Sequence, residues 1–168
     1  KNATNNNTHC FVNKTSLSDG NYTYRVFVND TLNNTGSITR HAYLDLTAPT
    51  ITFVSPSDNN NFYSRRNFVY INASIADVTA NIDTCTLEWN GTNQSMTRAA
   101  ATNNTFCFVN KTSLADGTYT YRVFANDTFN NTASSTRNIS IDTINPMINF
   151  TSPTLSNGTY LQTYAFFN

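Results

Sequence analysis

Residues 107–132 read CFVNKTSLADGTYTYRVFANDTFNNT, and residues 10–35 read CFVNKTSLSDGNYTYRVFVNDTLNNT. In the later passage Tyr119, Tyr121, Val123 and Ala125 alternate with Thr120, Arg122 and Phe124. A period of two puts the first set on one face of a strand, where it can meet a core. Asp116-Gly117 before the run and NDTFNN after it carry turn chemistry. The same turn, strand and turn are thus spelled twice, 97 residues apart, and the correspondence runs without a gap from Lys1 against Arg98 to Pro56 against Pro153.

Outward from that strand the period of two persists, and no stretch shows the 3.6 period of an amphipathic helix, so the chain reads as all-β. The unit beginning at Ala48 divides into runs at Ile51 to Val54 (A), Phe68 to Ile75 (B) and Cys85 to Trp89 (C), with a weaker strand or loop around Gln94 to Arg98. Further runs follow at Thr105 to Val109 (E), Tyr119 to Ala125 (F) and Thr136 to Asp142 (G). Alternation predicts an inner face of Val69, Ile71, Ala73 and Ile75 on B, Leu87 and Trp89 on C, Tyr119 to Ala125 on F, and Ile139 and Ile141 on G. Short strands at this spacing favour an immunoglobulin-like β-sandwich. A jelly roll or a β-helix explains the 97-residue period less well.

One such unit is the size of a small sandwich with its own core. The expected organisation is the C-terminal part of one repeat over 1–47 (strands E to G), a complete repeat over 48–144, and strands A and B of a further repeat over 145–168. Few residues, Pro146 among them, separate Asp142 from Ile148, so successive units are expected to join stiffly into a rod. Each unit of that rod would advance it by about 35 to 40 Å.

Charged residues are 12% of the chain and balance to a formal net charge of zero, which gives no electrostatic handle on nucleic acid or an anionic membrane. Aromatic residues at 13% argue against disorder. No apolar run approaches the length of a membrane span and no signal peptide stands at the start, so any anchor or leader is expected outside this stretch.

Asn-x-Ser/Thr sequons begin at Asn2, Asn6, Asn13, Asn21, Asn29, Asn33, Asn72, Asn90, Asn93, Asn103, Asn110, Asn126, Asn130, Asn138, Asn149 and Asn157. From this composition chance supplies about 7, less than half that number. Asn72, Asn138 and Asn149 fall between or beside inward apolar residues and are expected to point outward, as a glycan requires. Polar residues also suit outward strand positions without any glycan, but the excess favours covalent N-linked glycans on an extracellular or cell-surface chain.

Cys85 and Cys107 lie on two different strands, 22 residues apart, at positions where both can face the core. In an exported protein such a pair forms a disulfide worth about 3 kcal/mol. The alternative is three buried free thiols; three scattered cysteines offer no metal cluster. Cys10 is the copy of Cys107, and the partner it calls for lies before Lys1.

The D-G-x-Y step at Asp116 to Tyr119, with its copy at Asp19 to Tyr22, looks like the tyrosine corner of immunoglobulin-like domains. Antibody domains place a cysteine where this chain has Tyr121, so the bridge here joins C to E instead. Taken together, CTLEWNGTNQSM (85–96), CFVNKTSLADGTYTYRVFANDT (107–128) and RNISIDTINPMINFTSP (137–153) resemble tandem immunoglobulin-like repeats of archaeal secreted, cell-surface and filament proteins. The resemblance spans essentially the whole chain and implies an extracellular, often glycosylated, structural or adhesive module without catalysis.

Catalytic groups are sparse. The copies of His9 and His41 are Phe106 and Asn138, so no Ser-His-Asp or Cys-His arrangement recurs with the unit, and Glu88 is the single glutamate. Trp89 suits the core better than a sugar-stacking surface. No metal site is expected: calcium at a domain junction through Asp45 or Asp142 is the one opening, and no D-x-D-x-D loop supports it. No cofactor is expected beyond glycans.

Neither flanking piece closes a sandwich alone, so each needs a partner, either adjacent repeats of a longer polymer or other copies inserting strands head to tail. The expected role is a structural block of an extracellular filament, stalk or surface layer. An adhesin or carbohydrate-binding module, and an accessory domain of a secreted enzyme, are the competing readings.

Overall fold

The computed structural model describes residues 9–159 and Ala165. Its regular structure is eleven strands and no helix: β1 (Gly20–Asn29), β2 (Thr35–Leu44), β3 (Thr50–Phe53), β4 (Phe62–Ser64), β5 (Val69–Ala76), β6 (Ile82–Trp89), β7 (Thr92–Ser95), β8 (Thr97–Arg98), β9 (Asn104–Lys111), β10 (Gly117–Asp127) and β11 (Thr132–Ile141). β3 to β11 form two facing sheets, a five-stranded one in the order β4-β11-β10-β6-β7 and a four-stranded one in the order β3-β5-β9-β8. β1 and β2 make a separate two-stranded sheet.

The alternation seen in the sequence is what builds the core. Val69, Ile71, Ala73 and Ile75 on β5 are all fully buried against Leu87, Trp89, Tyr121, Val123, Ala125, Ile139 and Ile141 from the other sheet. Phe53 meets Tyr121 edge to face at 5.8 Å, and Trp89 stacks on Tyr119 and Tyr121 at 5.1 and 5.6 Å. Tyr119 itself is only half buried. Cys85 on β6 is bonded to Cys107 on β9, which ties the two sheets together through the middle of the core.

Four details differ from the sequence reading. Phe62–Ser64 is a short strand, pairing in parallel with β11 at Ile139 to Ile141, between the runs read as A and B. The weak element around Gln94 to Arg98 is two strands in different sheets: β7 pairs with β6 and β8 with β9, while buried Met96 sits at the crossing. In the first segment residues 9–19 form no strand, so the expected copy of strand E is not formed there. Residues 143–159 form none either, and the expected strand B copy falls largely outside the described residues. The reason lies in the pairing: the strand-A residues Thr50–Phe53 are held by β5, and Met147–Phe150 have no described equivalent of β5 beside them.

The β1–β2 hairpin reproduces the β10–β11 hairpin pair for pair, Gly20↔Leu44 to Asn29↔Thr35 matching Gly117↔Ile141 to Asn126↔Thr132. Its loops repeat as well, with φ at Ser16 and Ser113 of 58° and 56°, and at Asn33 and Asn130 of 64° and 66°. Gly20 and Gly117 open both hairpins with φ of 151° and 149°, a region a side chain rarely adopts. What differs is covering: Tyr121 and Val123 are buried, whereas their copies Tyr24 and Val26 are 49% and 50% exposed.

Candidate functional site

The two tyrosine corners are formed. Tyr119 donates its hydroxyl to the Ala115 carbonyl at 2.9 Å, and Tyr22 donates to Ser18 at 2.8 Å, so the D-G-x-Y steps are fold devices. Asp116 accepts from the Thr143 amide and hydroxyl at 2.9 and 2.7 Å, pinning the exit of β11 to the start of β10. Cys10, the free cysteine, is exposed.

The sequon asparagines divide by environment. Asn2 and Asn6 lie outside the described residues. Asn13, Asn21, Asn29, Asn33, Asn90, Asn93, Asn103, Asn110, Asn130, Asn149 and Asn157 are exposed; Asn72, Asn126 and Asn138 are half buried. Asn72 and Asn138 are thus less open than alternation alone suggested. The amide nitrogen, where a glycan would attach, donates at Asn72 to the Ser55 carbonyl at 2.9 Å and at Asn138 to Asn61 Oδ1 at 3.4 Å. The Ser55 to Ser57 segment lies along β5 here, since Ser57 Oγ also bonds the Asn72 backbone. That fold-back depends on a loop, which alternation does not see.

No nucleophile and base come together among the groups singled out. His41 Nδ1 bonds Thr23 Oγ1 at 3.0 Å across β1 and β2, the position at which Thr120 bonds Asn138 at 2.8 Å in the copy. The histidine therefore fills a cross-strand polar pair. A cleft of about 660 Å³ runs along β4, but in it Ser64 accepts from the Arg66 amide, and Arg66 is paired with Asp58 at 2.5 Å.

One chemical cluster is assembled by the fold. Asp45 from the segment after β2, Asp77 after β5 and Asp127 at the end of β10 each place a carboxylate oxygen within 4.8 Å of the other two. Their exposures are 6%, 8% and 0%. Asp127 Oδ1 accepts from the amides of Phe129 and Asn131 at 2.7 and 2.9 Å, which shapes the turn between β10 and β11. Asp77 Oδ1 accepts from the amides of Thr79 and Ala80, both at 2.8 Å, and Asp45 Oδ1 from Thr47 at 3.1 Å. Asn131 spans the group, its amide donating to Asp127 Oδ2 at 2.9 Å and to the Asp45 carbonyl at 3.2 Å. Asp45 is one of the two junction candidates in the sequence, Asp127 lies in the NDTFNN turn, and no local spacing announces that these two converge with Asp77.

Comparison with known proteins places this geometry. Residues 39–143 match the family model described as a bacterial Ig-like domain. No curated protein sequence matches the chain. Among solved structures, the chain is similar to the fibronectin(III)-like modules of CbhA from Clostridium thermocellum, at 16% identity and a TM-score of 0.45 over 76% of this chain and 65% of that one. It is also similar to an endo-beta-1,4-mannanase from Thermotoga petrophila, at 10% identity and a TM-score of 0.46, covering 58% of this chain and 20% of the other. An engineered protein gives 14% identity and a TM-score of 0.43 over 56% and 20%. The chain thus spans about a fifth of two of these structures and 65% of the third.

Proposed function

The chain belongs to the family of bacterial Ig-like domains, and from that premise we propose that it is a non-catalytic, N-glycosylated building block of an extracellular rod or filament made of such domains joined end to end. The observation that carries the proposal is the face of the β1–β2 hairpin. Tyr24, Val26 and Ile38 are 49%, 50% and 56% exposed on a hairpin whose register is that of β10–β11, where Tyr121 and Val123 are in the core. An apolar sheet face of this kind is costly in water, at about 25 cal/mol per Å², and the outer edges of this two-stranded sheet invite further strands. Residues equivalent to β5 and β9 would cover it and an equivalent of β6 would pair with its edge, supplied by neighbouring sequence or by another copy, head to tail.

The 16 sequons add the second strand of support. Eleven described sequon asparagines stand in solvent, spread over hairpin and sandwich alike, which suits a shielded shaft better than a surface kept bare for one ligand. The Cys85–Cys107 bond suits an oxidising, extracellular setting.

Electron cryomicroscopy of native material tests this. A continuous fibre, with strands over the β1–β2 face and branched density on the exposed sequon asparagines, is the expected result. Isolated particles with bare asparagines would overturn it in favour of an adhesive or accessory module, which glycan-array binding would then distinguish.

A further inference from the structure

We propose that Asp45, Asp77 and Asp127 form a calcium site that fixes the segment leaving the β1–β2 hairpin onto the end of the sandwich. This stands on the geometry of the cluster and not on the filament reading.

Three carboxylates are held out of water within 4.8 Å of one another. Buried anions that close need compensation, because the interior screens their repulsion poorly. Hydrogen bonds supply part of it but no countercharge does: among the described residues no Lys, Arg or His forms an ion pair with any of the three, the sole ion pair being Arg66 with Asp58. A second observation is independent of the crowding. Oδ2 of Asp45 and Oδ2 of Asp77 are each shut off from solvent without a hydrogen-bond partner, although their Oδ1 atoms accept from loop amides. A buried carboxylate oxygen with no donor is rare, because losing its water costs more than the fold regains elsewhere. A cation supplies both missing terms at once.

The chemistry of the donors selects the ion. All are hard oxygen ligands, with no imidazole or thiolate among them, which disfavours zinc and copper. Calcium accepts an irregular shell of about six to eight oxygens at about 2.4 Å, whereas magnesium at about 2.1 Å requires a regular octahedral cage and gives up its waters reluctantly. Three carboxylates brought together from separate loops suit the ion with the more adaptable shell.

The site is also composite. Asp77 and Asp127 come from two loops at one end of the sandwich, and Asp45 from the segment that leads into it. Asn131 already ties the Asp45 backbone to the Asp127 carboxylate. Asp30 is the copy of Asp127 and carries the same clasp to Asn34, yet it is exposed, and among the described residues it joins no cluster of carboxylates. Asp142, the copy of Asp45, is exposed as well. Among the described residues one such cluster is formed, and hence one ion is expected for this chain.

Isothermal titration of the whole chain with calcium chloride, after chelator treatment, is the test. The expected result is saturable binding of one ion, with a dissociation constant of about 10⁻⁴ to 10⁻³ M, as in other extracellular modules, and a melting temperature that rises with calcium but much less with magnesium. Asp45→Asn and Asp77→Asn, which keep the loop-bonding oxygen, should each weaken binding by about tenfold or more. The exposed acid Asp83→Asn should not. Circular dichroism establishes that each variant is folded. Failure of the folded wild-type chain to bind at 10 mM calcium (about ten times the weakest expected constant), or equal loss in Asp83→Asn, would overturn the assignment.

Discussion

Breaking the Cys85–Cys107 bond should lower the melting temperature of the sandwich by about 15 °C. The bond closes a loop with a sequence separation of 22 and is buried at both ends, Cys107 at 0% exposure and Cys85 at 5%. Chain-entropy reasoning gives about 3 kcal/mol for a loop of that length. A domain of about 100 residues unfolds with an entropy near 0.2 kcal/mol/K, so each kcal/mol moves the midpoint by about 5 °C. Reduced wild-type protein isolates the cross-link, because both sulfur atoms stay in place. The Cys85→Ala, Cys107→Ala double variant adds the space left by two sulfurs, about 1 to 2 kcal/mol more. Trp89 is the single tryptophan and stacks on Tyr119 and Tyr121 in the core, so its fluorescence follows the sandwich and not the β1–β2 hairpin. Cys10→Ser in every sample prevents intermolecular exchange. A midpoint that moves by less than about 5 °C, with thiol titration proving full reduction, would refute the reasoning, since 1 kcal/mol is well below the loop-entropy value.

Tyr119→Phe removes the hydroxyl bond to Ala115 while keeping the ring on Trp89, and should cost about 1 kcal/mol by denaturant titration. Burial is the main reason the Tyr121 phenol sits above its ordinary value, partly offset by Arg137. A folded-state value raised above the unfolded one contributes stability that is present below pH 10 and is lost as pH rises from there through the folded value, so the midpoint of Tyr121→Phe should fall less steeply above pH 10 than that of wild type. Peptide mapping of native material should find glycans more often at Asn103, Asn110 and Asn130 than at Asn72, Asn126 and Asn138, with equal occupancy counting against the exposure argument.

Much of the sandwich was legible because its determinants are local and periodic. A run such as Val69, Ile71, Ala73 and Ile75 has one way to bury every second side chain, and β5 does so. The tyrosine corner was legible for the same reason, since Gly117 and Tyr119 act within a few residues. The short strand β4 was not: Phe62 and Tyr63 are exposed, and the strand exists because β11 offers its edge. Met96 had no signal of its own, because its burial comes from the chain changing sheets between β7 and β8. Asn72 misled, as its outward direction was right but the Ser55 to Ser57 segment covers it.

The acidic cluster shows where such reading stops, and the chain supplies its own comparison. NDTLNNT and NDTFNNT fold into the same turn: Asp30 accepts from Leu32 and Asn34 as Asp127 accepts from Phe129 and Asn131. At Asp30 the Asn34 side chain, foremost, holds the carboxyl below the usual carboxylate range, which is all a solvated turn needs. At Asp127 the same turn is sealed at 0% exposure because Asp45 and Asp77 have been carried onto it from 82 and 50 residues away along the chain, counting from their positions in the sequence. The heptapeptide therefore fixes the clasp, and only its neighbours decide whether it is a cap or a ligand. A motif search sees two equivalent turns; the difference between them resides in the segment after β2, which brings Asp45 onto the loops at one end of the sandwich.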